Sequence, residues 1–146
     1  MKYMGMPMGM WVLFSGSFQT QLTAYYAKAM MTGPMRWFCR KSGKAKFSAK
    51  DIQGMEATAR LRATDRNPYS WNMDFLPYPD GSGYEARFSK CGICTLMQEL
   101  GLYDLTPAMC RLDYTMAEAG GAANFARQYT LASGGPYCDC GYQKKV

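Results

Sequence analysis

The chain has no histidine. That absence removes Ser-His-Asp triads, Cys-His dyads, zinc sites built on paired imidazoles and every histidine general base. Chemistry is left to Cys, Asp, Glu, Lys, Tyr and Arg. Long apolar runs are missing too. Met1 to Phe14 is rich in Met and Gly but too short to span a bilayer. It has no small-x-small cleavage site behind a proper apolar core, so it reads as an entry segment docked on the domain. A cytoplasmic location is expected on that reading, with the six cysteines as thiols or ligands. Their even number keeps disulfides open as an alternative. No nucleic-acid recognition motif is present. The net charge of +6 is concentrated in Arg36 to Lys50 and at Arg60, Arg62 and Arg66, without interleaved stacking aromatics. A solvated basic linker is expected, with neither a nucleic-acid nor a membrane partner. An anionic small molecule would be drawn to such a surface.

What is present is enough apolar residue for one packed domain: 146 residues, 48% hydrophobic. The thirteen methionines cluster in Met1 to Met10 and Met30 to Met35, where they read as packing. Residues 1–69 look helical. Leu22, Tyr25, Tyr26 and Ala29 give one face of a helix from Phe18 to Met31, stopped by Gly33-Pro34. Met35 to Cys39 reads as a short apolar piece and Lys41 to Lys46 as a polar loop. Ser48 is a cap for a helix from Ala49 to Ala63, with Asp51 in its first turn.

Residues 70–146 change character. Trp71, Met73 and Phe75 alternate with polar residues, Pro79 to Gly83 turns the chain, and Tyr84, Ala86 and Phe88 alternate on the way back. A helix is predicted for Gly92 to Leu100, closed by Gly101. Thr106-Pro107 predicts an N-cap and a helix running to Ala119. Phe125, Arg127, Tyr129 and Leu131 then alternate, Ser133 to Pro136 turns, and Tyr137 to Tyr142 forms a last strand. The order predicts an α+β fold: an antiparallel sheet of about four strands in two hairpin-like pairs, helices packed on one face, and a helical N-terminal segment.

Three cysteine patterns can carry chemistry. Cys110, Asp113, Tyr114 and Ala117 share a helix face by spacing. A thiol one turn from a carboxylate suits a nucleophile beside a substrate-orienting group, but equally a buried thiol and an Asp that bonds backbone. The carboxylate also raises the thiol pKa unless Arg111, Arg127 or a helix N-terminus compensates. Cys91-Gly92-Ile93-Cys94 is a C-x-x-C at a strand-to-helix junction, a setting for redox chemistry. Cys138-Asp139-Cys140 puts two thiols on one strand face. Cys91, Cys94, Cys138 and Cys140 together would make a four-thiolate zinc site.

The ordered set Trp71 to Asp74, Arg87-Phe88-Ser89-Lys90-Cys91, Glu99-Leu100-Gly101-Leu102, Cys110-Arg111-Leu112-Asp113-Tyr114 and Thr130 to Cys138 resembles the L-2-amino-thiazoline-4-carboxylic acid hydrolase family. The resemblance covers about half the chain, and Tyr25-Tyr26 through Trp37 resembles the family's helical front more loosely. It departs from the pattern at Cys140, where an aromatic is expected, and in a shorter front. The resemblance implies a hydrolase of a small cyclic isothiourea that needs no cofactor. Water adds at C2 of the thiazoline ring, the carbon–sulfur bond opens and a carbamoyl-cysteine results. Cys91, Cys110, Asp113 and Cys138 fall on the family's recurring positions. On this reading Cys110 is nucleophile or proton donor to the leaving sulfur, and Asp113 binds the protonated amidine. Arg127 or Arg87 holds the substrate carboxylate, and Cys91 and Cys138 frame the pocket. The competing expectation is a non-catalytic small-molecule or zinc-binding module using Cys91, Cys94, Cys138 and Cys140. An oxidoreductase at Cys91 and Cys94 is a third.

Overall fold

The structure, a computed structural model, describes residues 8–145, with side chains from 17 onward. The first seven residues of the expected entry segment lie outside the described residues, and the remainder of that segment opens helix α1 (Met8–Met30). No described helix is long and apolar enough to cross a membrane.

Gly33-Pro34 does stop α1, but it also starts the next helix. Gly33 takes a φ of +46°, and Pro34 sits in the first turn of α2 (Gly33–Ala45), where a missing N–H costs nothing and the fixed φ is already helical. The expected apolar piece and polar loop are therefore one helix up to Ala45, which buries Cys39 and Gly43, with Lys46 as its extended C-cap. The next element matches its prediction. Helix α3 (Ala49–Ala63) is capped by the Ser48 side chain, which accepts from the Asp51 N–H. The Asp51 carboxylate reaches back past the cap to accept from the Phe47 N–H at 2.8 Å.

Strands β1 (Asn72–Pro77) and β2 (Gly83–Lys90) form the expected hairpin. Helix α4 (Gly92–Glu99) follows and ends near Gly101, whose φ is +67°. The predicted helix from Pro107 to Ala119 is two helices, α5 (Thr106–Cys110) and α6 (Leu112–Gly120), interrupted at Arg111, where the backbone hydrogen bond back to Pro107 is long at 3.3 Å. Thr106 is not the N-cap, a position held by Leu105. A 3-10 turn, Tyr103–Leu105, runs straight into α5 and ties the Thr106 N–H to the Tyr103 carbonyl, which leaves the side chain to turn inward. The alternation expected from Phe125 to Leu131 is realised only in β3 (Ala123–Ala126), and β4 (Cys138–Lys144) closes the fold.

The sheet is antiparallel throughout in the order β1-β2-β4-β3, so the two hairpin-like pairs join through β2 and β4. Register places Ala86 opposite Cys140 and Phe88 opposite Cys138. Their side chains share one face by the two-residue period. Met73, Ala86, Cys138 and Cys140 form a buried cluster on that face, packed by Met55 and Ala59 of α3 and by Phe88, Phe125, Leu131 and Tyr142. The alternate residues Glu85, Arg87 and Asp139 point the other way. Arg87 bonds Glu85 at 2.6 Å and covers the Tyr137 ring at 4.6 Å. Contacts of α3 with β1 and of α6 with β3 bring the helices to the sheet, with α2 on α6 and α1 across α5 and α6.

Candidate active site

Between the inner sheet face and helices α4 to α6 lies a cavity of about 370 Å³, at the small end of the ~300–1,000 Å³ of ligand sites. β4 contributes Cys138, Cys140 and Tyr142, and β2 contributes Phe88. Cys91 enters from the junction before α4, Thr106 and Cys110 from α5, Asp113 from α6 and Arg127 from the end of β3. The five residues expected as catalytic or substrate-binding, Cys91, Cys110, Asp113, Arg127 and Cys138, thus line one space. Arg87 does not; its strand register turns it to the opposite face.

Each group is held by local structure. Gly92 opens α4 against the chain entering β1, so close that a Cβ there would stand 2.0 Å from the Tyr69 carbonyl oxygen. This fixes the junction that carries Cys91. Cys138 accepts the Leu131 N–H on its Sγ at 3.2 Å. Between the two inward thiols, Asp139 faces outward and accepts the N–H groups of Gln128 and Tyr129, at 3.0 and 2.6 Å. That bond pulls the chain out of β3 just after Arg127, which is why the alternating residues 127–131 do not extend the strand.

Arg127 organises the charge. Its Nη1 donates to Asp113 Oδ2 at 2.7 Å and its Nη2 to the Cys110 carbonyl at 2.8 Å. Its carbon centre lies 5.4 Å from the ring centroids of both Tyr114 and Phe125. The Arg127 side chain is 6% exposed; that of Asp113, although walled by protein, is 39% exposed and reached through the cavity. Arg127 is thus already engaged with the site's own carboxylate, a partner that sequence spacing did not suggest.

Cys94, Cys110, Cys138 and Cys140 are held protonated. Burial pushes Cys110 up to about 11 against the pull of Arg127, and Cys140 up to about 12 with Asp113 adding to the effect. Cys138 is raised by burial, which the Leu131 N–H opposes. Burial and the neighbouring Cys91 push Cys94 up to about 12. Burial also raises Asp113, countered by Arg127, and Tyr142. All six cysteines are free. Among the described residues no group of three or more Cys, Asp or Glu side chains is arranged to hold a metal ion. Of the four thiols weighed as zinc ligands, Cys91, Cys138 and Cys140 line the cavity and Cys94 does not.

Sequence reasoning missed Thr106, read as a cap, and Asp139, read only as the spacer of C-x-C. The signals were there: Thr106 lies four residues before Cys110, and strand alternation puts Asp139 opposite in direction to both thiols.

The fold and site define a small α+β domain with a thiol-lined cavity built around one carboxylate–arginine pair. The sequence profile of L-2-amino-thiazoline-4-carboxylic acid hydrolase matches residues 17–142, and the chain belongs to that family. No curated protein and no solved structure matches it significantly.

Proposed function

We propose that the protein opens a small cyclic isothiourea of the 2-amino-thiazoline-4-carboxylate kind and releases the carbamoyl-cysteine. The observation that carries the reading is the meeting of Cys110 with the Asp113–Arg127 pair in one cavity of a chain with this family membership. Arg127 occupies Oδ2 of Asp113, which leaves Oδ1 to accept an amidine N–H. A carboxylate suits a developing amidinium.

A thiol near 11 is a poor acid toward a leaving alkylthiolate, whose ordinary conjugate pKa is ~8.5. Of the two roles the sequence allows Cys110, we adopt the nucleophile, which requires the substrate to take its proton because the thiolate is the attacking form. Its proton passes to the ring nitrogen of the bound amidine as the sulfur attacks C2. The positive charge that develops on the amidine as that proton arrives faces Asp113, and the adduct itself is neutral. The tetrahedral adduct collapses with cleavage of the bond from C2 to the ring sulfur, which leaves and takes up that proton. Water then attacks C2 and gives one proton to the former ring nitrogen; Cys110 departs as thiolate and recovers the other, and the carbonyl oxygen of the product is the water's. One water is consumed and no electron is transferred.

Cys110→Ala and Asp113→Asn should each abolish ring opening, and a quenched single turnover should yield a Cys110 peptide heavier by the mass of the substrate. Near-normal turnover in either variant would refute these roles. A binding module without turnover is the second reading, favoured by the protonated state of Cys110 and Cys140. It predicts calorimetric binding of the ring with no product.

A further inference from the structure

Thr106 is 1% exposed, and its hydroxyl has no hydrogen-bond partner within the protein. Buried hydroxyls almost always find one. A threonine in a first helical turn has two easy local choices, capping or bonding a carbonyl one turn back, and Thr106 takes neither. Its neighbourhood is not short of order: the backbone N–H is bonded to Tyr103 and the residue starts the helix that carries Cys110. The side chain borders the cavity.

Thr106, Cys110 and Asp113 stand at successive turns of α5 and α6, and all three line the same wall. A ligand placed along that wall with its reacting carbon at Cys110 and its amidine at Asp113 presents its far end to Thr106. In a 2-amino-thiazoline-4-carboxylate the far end is the carboxylate. The other obvious donor, Arg127, is taken up by Asp113 and the Cys110 carbonyl, and the neighbouring thiols are weak donors.

We propose that the Thr106 hydroxyl is a specificity-determining contact that donates a hydrogen bond to the ring carboxylate of the substrate. This rests on the function proposed above. The bound ligand thereby completes a polar group that the empty protein leaves unsatisfied, so the site distinguishes a carboxylated ring from a bare one without a second arginine.

The test compares 2-amino-2-thiazoline-4-carboxylate with 2-amino-2-thiazoline, which lacks the carboxylate, in the full-length wild type, Thr106→Val and Thr106→Ser. Turnover and calorimetric affinity are read for each. The preference of the wild type for the carboxylated ring should fall about 10- to 100-fold in Thr106→Val, the effect of losing a hydrogen bond to a charged group. It should fall through KM more than kcat and be restored in Thr106→Ser. The thermal midpoint of Thr106→Val should be no lower than wild type, because valine keeps the shape and removes an unpaired polar group. An equal loss on both rings, or an unchanged preference, overturns the assignment of Thr106 while leaving the proposed function standing. A wild type that neither binds nor opens either ring overturns the proposed function and this inference with it.

Discussion

Replacing Arg127 by methionine should destabilise the protein by about 2–4 kcal/mol at neutral pH. Methionine keeps an unbranched apolar stem against Tyr114 and Phe125 but removes the bonds to Asp113 and to the Cys110 carbonyl. Two charge-assisted hydrogen bonds are worth up to about 3–6 kcal/mol together. Asp113 keeps 39% of its side-chain surface accessible, so water returns part of that loss and the figure is set below the full cost of orphaning a buried charge. In a domain of this size each kcal/mol lowers the midpoint by about 2–4 °C, giving roughly 5–15 °C in all.

The pH dependence has a definite sign. Asp113 is held above its ordinary value even with Arg127 beside it, and the variant should push it higher. The folded protein then binds more protons than the unfolded chain, so stability is lost as pH rises from the unfolded value of ~3.9 through the folded one. The gap between wild type and Arg127→Met should be widest near pH 7.5 and shrink toward pH 4.5. Urea titrations at both pH values on wild type, Arg127→Met, Asp113→Asn and the double variant measure this directly. The double variant should recover at least about 1 kcal/mol relative to Arg127→Met. A variant within about 0.5 kcal/mol of wild type, a gap independent of pH, or no recovery in the double variant would refute the reasoning.

Alkylation of Cys110 by iodoacetamide, followed by peptide mass spectrometry, should accelerate about tenfold per pH unit and continue to rise beyond pH 10, since burial holds the thiol near 11; a plateau below pH 9 would exclude that environment. Gly43→Ala should destabilise by about 1–3 kcal/mol, because the new Cβ would stand 2.2 Å from the Gly120 carbonyl oxygen at the crossing of α2 and α6. Helix propensity alone gives the opposite sign, so urea unfolding of this variant shows which effect wins.

What the sequence made legible was local and periodic. Ser48 with Asp51 announces α3, alternating residues around Pro79 to Gly83 announce the hairpin, and the spacing of Cys138 and Cys140 announces a shared face. What it hid were consequences of contact between distant segments. Gly33-Pro34 ends one helix and begins another, and punctuation residues alone carry both meanings. The inward turn of Thr106 depends on a 3-10 turn already satisfying its backbone. The pairing of Asp113 with Arg127 spans fourteen residues and two elements, beyond the reach of any helical spacing. The convergence of Cys91, Cys110 and Cys138 was visible only as a resemblance until the strand order β1-β2-β4-β3 brought their segments to one face.

The tripeptide Cys138-Asp139-Cys140 couples the two sides of the sheet in a way that admits no intermediate setting. Because successive strand residues face opposite ways, sliding β4 by one position would carry the carboxylate into the cavity and expel both thiols. The same slip would release the loop that Asp139 holds, and with it the arginine that neutralises Asp113. Registry here is binary: the outer anchor and the inner chemistry are present together or absent together. The solvent side of β4 therefore falls under the same functional constraint as the cavity, although Asp139 is not part of the cavity lining.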